Sequence, residues 1–226
     1  NGVSLPQGVL NGLTADLNLI ATAPHLLPGW LRMPQAHRVV GPVYARLPGE
    51  LPEFLADLVA GPQPLVYFAM GSSGNRDLVL HVLAGLGRAD CQVLAPVRSH
   101  LRQEDLETLP LNVHVTDWIP AHQLGDAVDL AITHGGEGTV QTSCVQGWPF
   151  IGIPLQFEQR FNVQRCAAFG SARLVSQREA RRADWAELVR QALADEGMRS
   201  RARRMAGLME GLDGPGRAAE AICELL

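Results

Sequence analysis

Dense apolar runs alternate along the chain with stretches spaced for a helix. "PLVYFAM" (64–70), "CQVLAPV" (91–97), "LNVHVTDWI" (111–119), "LAIT" (130–133), "PFIGIPL" (149–155) and "ARLVS" (172–176) each read as a short strand. Between them, "LPEFLADLVA" (51–60) and "DLVLHVLAGLGRA" (77–89) have helical spacing, the second with Leu78, His81, Val82 and Gly85 three to four apart. A short helix at 122–127, longer ones at 137–147 and about 159–169, and a helical end from roughly 184 to 226 follow. Breaks in that last stretch are expected at Gly197 and at "DGPG" (213–216). Residues 1–45 are different in kind. Pro24, Pro28, Pro34 and Pro42 punctuate them, leaving room for short strands at 17–22 and 38–40, so they read as a connector before a domain at 46–226.

Short continuous apolar strands alternating with helices predict an α/β chain with a parallel sheet covered on both faces. With right-handed crossovers this becomes a Rossmann-like, doubly wound sheet, whose ligands bind beyond the carboxyl ends of the strands. Two glycine-rich turns fall at such ends: "GSSG" after Met70, and "HGGEGT" after Thr133. A strand that leaves through His134-Gly135-Gly136 and enters a helix brings backbone amides to an anion, most often a phosphate.

Composition narrows this further. At 226 residues, 46% hydrophobic and 19% charged, the chain can bury a substantial core. A net charge of −4 argues against a nonspecific nucleic-acid binder. All 19 basic residues are arginine, which reads as a GC-rich bacterial genome. Cys91, Cys144, Cys166 and Cys223 show neither CxxC pairing nor zinc spacing, and read as reduced thiols of a cytoplasmic protein. No apolar run approaches the roughly 20 residues of a membrane span, and no signal peptide is evident. The opening "NGVSLPQGVLNG" lacks an initiating methionine and reads as the middle of a longer product. A nicotinamide-dependent Rossmann enzyme is disfavoured, since no GxGxxG follows the first strand.

From Trp118 to Val175 an ordered set of motifs resembles the donor-binding domain of GT-B glycosyltransferases, the nucleotide-sugar family with plant, bacterial and animal UDP- and dTDP-dependent members. The set is "WIP" (118–120), "DLAITHGGEGT" (129–139), "GWPFIGIP" (147–154), "EQRFN" (158–162) and "GSARL" (170–174), with weaker agreement on either side. The resemblance implies that His134 contacts the donor diphosphate together with Gly135, Gly136, Gly138 and Thr139, and that Gly71, Ser72 and Ser73 add donors. It further implies that Trp118 stacks on the nucleobase beside Ile119, and that Glu158 and Gln159 hold the sugar hydroxyls. It implies no metal and no cofactor, the nucleotide sugar being the substrate.

Three departures from the plant pattern look bacterial and weigh against UDP relative to dTDP: Ala121, Thr142, and a shortened interval from Trp118 to His134. Glu137, beside an expected diphosphate, is read as a first-turn acid facing away. His81, His100, His114 and His122 are read as surface or satisfied core residues, and "RSRARRM" (199–205) as a solvated helix face. The family's catalytic base lies in an N-terminal acceptor-binding domain that nothing here matches, so no catalytic residue is assigned. The resemblance thus implies the donor half of an inverting, metal-independent glycosyltransferase acting on a small-molecule hydroxyl and inactive alone. The alternative is a non-catalytic nucleotide-sugar-binding subunit that pairs with a separate acceptor-binding chain.

Overall fold

A computed structural model describes residues 15–29, 31–43 and 46–225, so the first fourteen residues of the expected connector lie outside the described part. The chain divides into two compact units: residues up to Val43 together with Gly211 onward, and Tyr44–Glu210. The tail from Gly211 thus groups with the opening segment. In that smaller unit β1 (Asn18–Ile20) pairs in parallel with β2 (His37–Val39), and α9 (Gly214–Cys223) begins at an Asp213 cap. The glycine at 214 is required there, because an added Cβ would strike the Pro42 carbonyl oxygen.

The larger unit carries the expected doubly wound sheet. Its strands are β3 (Leu65–Ala69), β4 (Gln92–Ala95), β5 (Val113–Val115), β6 (Leu130–Thr133), β7 (Phe150–Gly152) and β8 (Ala172–Leu174). All six are parallel, in the order β5-β4-β3-β6-β7-β8. The winding therefore reverses between β3 and β6, where Ala69 is registered against Thr133. A crevice opens at such a switch point because the connections leave in opposite directions. Every residue of β3 and β6 is buried, which explains why both read as unbroken apolar runs.

Between the strands run α1 (Leu55–Ala60), α2 (Arg76–Leu86), α3 (Gln103–Leu106), α4 (Glu137–Gln146), α5 (Phe157–Phe169), α6 (Gln177–Ala180), α7 (Trp185–Ala194) and α8 (Glu196–Met209). The core under β3 and β4 joins Phe68, Met70, Leu78, Val82 and Trp185, and Gly85 of α2 leaves the space into which the Trp185 ring packs. Burying such a ring contributes on the order of 2–3 kcal/mol. Its indole N–H is not lost, because it donates to the Ala180 carbonyl at 3.0 Å.

Several elements differ from the expectation. The strand expected at 111–119 ends at Val115: Thr116 makes the last ladder bond to Ala95, and Pro120 has no N–H to continue it. The chain is thereby free to turn at Trp118. The helix expected at 122–127 is two 3₁₀ turns, Ala121–Gln123 and Gly125–Ala127, interrupted where Gly125 takes a φ of 53°. Gly197 does not break the final helical stretch. It sits in the first turn of α8, and the break is at Asp195, whose side chain caps that helix through the Met198 N–H at 2.8 Å. The unassigned stretch 98–110 holds α3, pinned by a buried Asp105 that takes two bonds from Arg76, at 2.8 and 2.5 Å.

Candidate functional site

The turns after β3 and β6 stand side by side over the switch point, and one imidazole joins them. His134 leaves β6 only 7% exposed. Its ring lies between Gly71 and Gly136: a Cβ on Gly71 would come within 2.6 Å of Cε1, and one on Gly136 would strike Nε2. These two glycines are therefore demanded by the histidine before any ligand is considered. Gly71 also takes a φ of 52°, and Gly135 one of 86°, with Val163 of α5 occupying the space that a side chain on Gly135 would need. Gly138 is different. A Cβ there would meet no protein atom within 4 Å, so its missing side chain faces open space.

Burial holds the pKa of His134 below the usual imidazole value, with the nearby charge of His100 adding to the effect and the Ala69 carbonyl opposing it. The ring is thus neutral near pH 7. Its Nδ1 is buried and makes no hydrogen bond of good geometry, the Ala69 carbonyl notwithstanding. An unmet polar atom of this kind costs about 1–3 kcal/mol.

Helix α4 starts beside the ring. Gly136 occupies its N-cap position, and no side chain caps it. The helix dipole and the first-turn amides therefore point outward with the positive end presented. Thr139 donates to the Gly136 carbonyl at 2.9 Å and accepts from Thr133 at 2.9 Å, which fixes the bend at the helix entry. Glu137 turns to the side, its carboxylate accepting from Gln141 one turn on.

Two residues of α5 brace these turns from below. Gln159, 2% exposed, accepts from the Leu155 and Gln156 amides at 2.9 and 3.1 Å and donates to the Ser73 hydroxyl at 3.1 Å. Its amide is therefore committed to a capping box and to the first turn, not turned outward beside Glu158. Asn162 donates to the Gly135 carbonyl at 3.1 Å and ties down the second turn. Glu158 is exposed, and partial desolvation followed by the charge of Glu137 raises its pKa. Ser72 is exposed at the tip of the first turn.

A cleft of about 330 Å³ runs from these turns to Trp118. Gly71, Gly138, Thr139 and Thr142 line it from the turns and the start of α4, Trp118, Ile119 and His122 from the loop after β5, and no carboxylate lines it among the described residues. Trp118 is 58% exposed and lies against Gly49, so it is not a core tryptophan. Ile119 is buried, and its carbonyl accepts from Ala121 at 2.9 Å. The cleft thus offers a glycine turn and a helix terminus, with the His134 ring packed against Gly71 behind that wall, together with the aromatic plane of Trp118 and the imidazole of His122. That combination suits a ligand with an anionic group joined to a flat ring.

His100 is the site residue that sequence reasoning missed. It ends the 3₁₀ turn after β4, and its Nε2 lies 2.6 Å from the Gly71 carbonyl. The signal was its position: a strand's carboxyl end next to the switch point is where functional groups collect. Among the described residues no group of three or more His, Cys, Asp or Glu side chains is placed to hold a metal ion. Cys91, Cys144 and Cys166 are free and buried, and Cys223 is free and exposed.

This architecture is shared with solved glycosyltransferases. The calicheamicin glycosyltransferase CalG4 superposes with a TM-score of 0.75 at 22% identity, over 94% of this chain and 53% of that one. The spinosyn rhamnosyltransferase SpnG, in complex with thymidine diphosphate, superposes with a TM-score of 0.74 at 20% identity, over 95% of this chain and 59% of that one. The fold is that of one lobe of a GT-B glycosyltransferase. More narrowly, residues 80–225 match the erythromycin biosynthesis protein CIII-like C-terminal domain, and the chain belongs to that family.

Among curated relatives, a PGL/p-HBAD biosynthesis glycosyltransferase of Mycobacterium tuberculosis is 29% identical over 193 residues, 84% of this chain and 44% of the relative. The 4'-demethylrebeccamycin synthase of Lentzea aerocolonigenes is 31% identical over 180 residues, 75% of this chain and 42% of the relative. The chain thus spans less than half the length of these relatives. Among the described residues no helix is long and apolar enough to cross a membrane.

Proposed function

We propose that this chain is the donor-binding half of an inverting glycosyltransferase that moves a sugar from a dTDP- or UDP-sugar to a hydroxyl of a small molecule. One observation carries the reading: both glycine turns at the switch point, the uncapped start of α4 and the exposed Trp118 line a single cleft that, among the described residues, holds no carboxylate. In it the diphosphate lies against the α4 amides and His134, and the nucleobase lies on Trp118. Thr142 stands on the cleft wall where a carboxylate would otherwise receive ribose hydroxyls, which favours the deoxyribose of dTDP. The thymidine diphosphate bound by SpnG supports the same preference.

In the reaction the acceptor oxygen loses its proton to a base and bonds to the anomeric carbon. The bond from that carbon to the β-phosphate oxygen breaks, and its electron pair stays on the leaving diphosphate. The α4 amides and a His134 charged by contact with that diphosphate stabilise the added charge, a contribution typically worth several kcal/mol. These groups meet the charge without a resident cation. Glu158, exposed at the start of α5, accepts from sugar hydroxyls, while Gln159 holds the first turn in place. Phe157 and Phe161, 88% and 43% exposed on the same helix, give the acceptor an apolar surface. The base belongs to an acceptor-binding domain beyond this chain, so transfer by this chain alone is slow.

The test is a thermal-shift panel of dTDP, UDP, GDP and NAD. A ligand at 100 times its dissociation constant adds about 2.7 kcal/mol of stability. The reading expects dTDP to stabilise most, UDP next, and NAD not at all. Stabilisation by NAD with every nucleoside diphosphate silent would overturn it.

A further inference from the structure

The 71–74 turn is held from two sides. From α5, Gln159 reaches Ser73. From the opposite side, the only ring close to its backbone carbonyls among the described contacts is that of His100, 2.6 Å from Gly71 O. A carbonyl can only accept, so Nε2 carries the proton and donates. The bond spans 29 positions in sequence and links the carboxyl ends of β3 and β4. The same ring lies against Gly74, where an added Cβ would stand 3.2 Å from it.

His100 is itself well anchored. Its amide bonds to the Val97 carbonyl at 2.9 Å, and two residues earlier Arg98 bonds to Thr116 at 3.1 Å. The ring is thus a fixed post, and Gly71 is pulled between it and the imidazole of His134. There is no room for a side chain on Gly71, because an added Cβ would stand 2.6 Å from His134 Cε1. Electrostatics agrees with the proximity, since His100 acts on the charge of His134 through space.

We propose that His100 is a positioning residue for the donor: its Nε2–H bond to the Gly71 carbonyl clamps the 71–74 turn onto the His134 ring and so sets the affinity of the cleft for a nucleoside diphosphate. The inference rests on the donor-binding reading and adds to it the group that holds one wall in place. His100 touches no phosphate. It acts by keeping the Ser72 and Ser73 amides where the diphosphate needs them and by fixing the plane of the His134 ring.

The experiment uses the full 226-residue chain. Dissociation constants for dTDP are measured by calorimetry for the unaltered protein and for His100→Ala, His100→Gln and His100→Asn. Hydrogen exchange at residues 71–74 is followed without ligand. Gln places an amide N–H close to the position of Nε2; Asn, one methylene shorter, does not reach Gly71. Affinity is expected to fall about three- to tenfold in the Ala and Asn variants, the span of one hydrogen bond, with faster exchange at 72–74. Gln should recover most of both.

If the unaltered protein binds dTDP and His100→Ala binds within twofold of it, the clamp is overturned while the donor-binding reading stands. Should the Ala variant not fold, the Gln and Asn pair decides, and equal affinities in that pair overturn the clamp. An unaltered protein that binds no nucleoside diphosphate takes down the donor-binding reading and this inference with it.

Discussion

Where the turns after β3 and β6 meet, each backbone segment is held twice: Gly71 between His100 and His134, and Gly135 between Asn162 and Val163. At the other end of the same cleft stands one tryptophan, 58% exposed, on a loop that the sheet has released after Val115. The first end is complete before a ligand arrives, so little conformational entropy is lost there on binding. The second end offers area and a plane with few fixed hydrogen bonds. In the donor-binding reading, the rigid end recognises what all nucleotide sugars share, and the open end selects among bases. Substitutions at the two ends should therefore fail in different ways.

The largest effect belongs to the rigid end. A methyl group on Gly136 would stand inside contact distance of His134 Nε2, and both are backed by buried structure. Gly136→Ala should displace the ring and weaken dTDP binding on the order of hundredfold, with a loss of about 1–3 kcal/mol in stability from overpacking. Calorimetry and thermal melting of the same sample check both numbers. His134→Ala relieves the crowding instead. It should weaken binding about tenfold or more while the fold survives, the value of a hydrogen bond to a charged group. Unchanged affinity would remove His134 from the site.

At the open end, Trp118→Ala should cost about five- to tenfold in affinity, near the lower part of the 1–3 kcal/mol typical of stacking. The folding midpoint should barely move, because so much of the ring is already in water. Trp118→Phe should keep most of the binding. If Trp118→Ala instead unfolds the domain, the ring is structural and the contrast between the ends is lost. Gly138→Ala is a finer probe. A Cβ there meets no protein atom, and alanine is the better helix former, so the free protein should gain about 0.5 kcal/mol. Binding of dTDP should nonetheless fall about threefold, since the methyl group enters the cleft. A variant that gains stability and keeps its affinity would show that the ligand does not approach Gly138.

How much of this is legible in the sequence follows from the range of the interactions. The unbroken apolar runs of β3 and β6 and the glycines after them are local signals that mark two strand ends as ligand-facing; that these ends are neighbours at the switch point is a matter of strand order and is not local. The inward turn of Gln159 has a local signal as well, the x-x-x-Gln spacing of a capping box from Gln156, though one with glutamine at both ends. What no local pattern carries is the company a residue keeps across the sheet. His100 acts on a carbonyl 29 positions away, and Asp105 is paired with Arg76 at the same separation, so the stretch 98–110 looks featureless when read alone. Gly197 misleads for another reason: the capping aspartate two residues earlier outweighs the low helix propensity of a first-turn glycine.

The smallest expected effect is a proton. In the free protein, burial together with the charge of His100 keeps the His134 pKa below about 6.5. The unfolded chain therefore binds more protons than the folded one as pH falls through that value, and stability should decline there. His114, also lowered by burial, adds to this decline, so the His134 share is read in a His114→Gln background. A bound diphosphate acts on the ring in the opposite sense, because a nearby negative charge favours imidazolium. Binding near pH 6.5 should then take up a fraction of a proton, and affinity should rise modestly as pH falls between the bound and free pKa values. Protonation of dTDP itself, near pH 6, enters the affinity trend and the proton uptake alike, so the His134 share is the difference between the unaltered protein and His134→Gln. Calorimetry in two buffers of different ionisation enthalpy gives the uptake directly. His134→Gln should lower it while Trp118→Ala leaves it unchanged, since an indole does not titrate; equal uptake in the His134→Gln protein would place the proton elsewhere and separate the diphosphate from the imidazole.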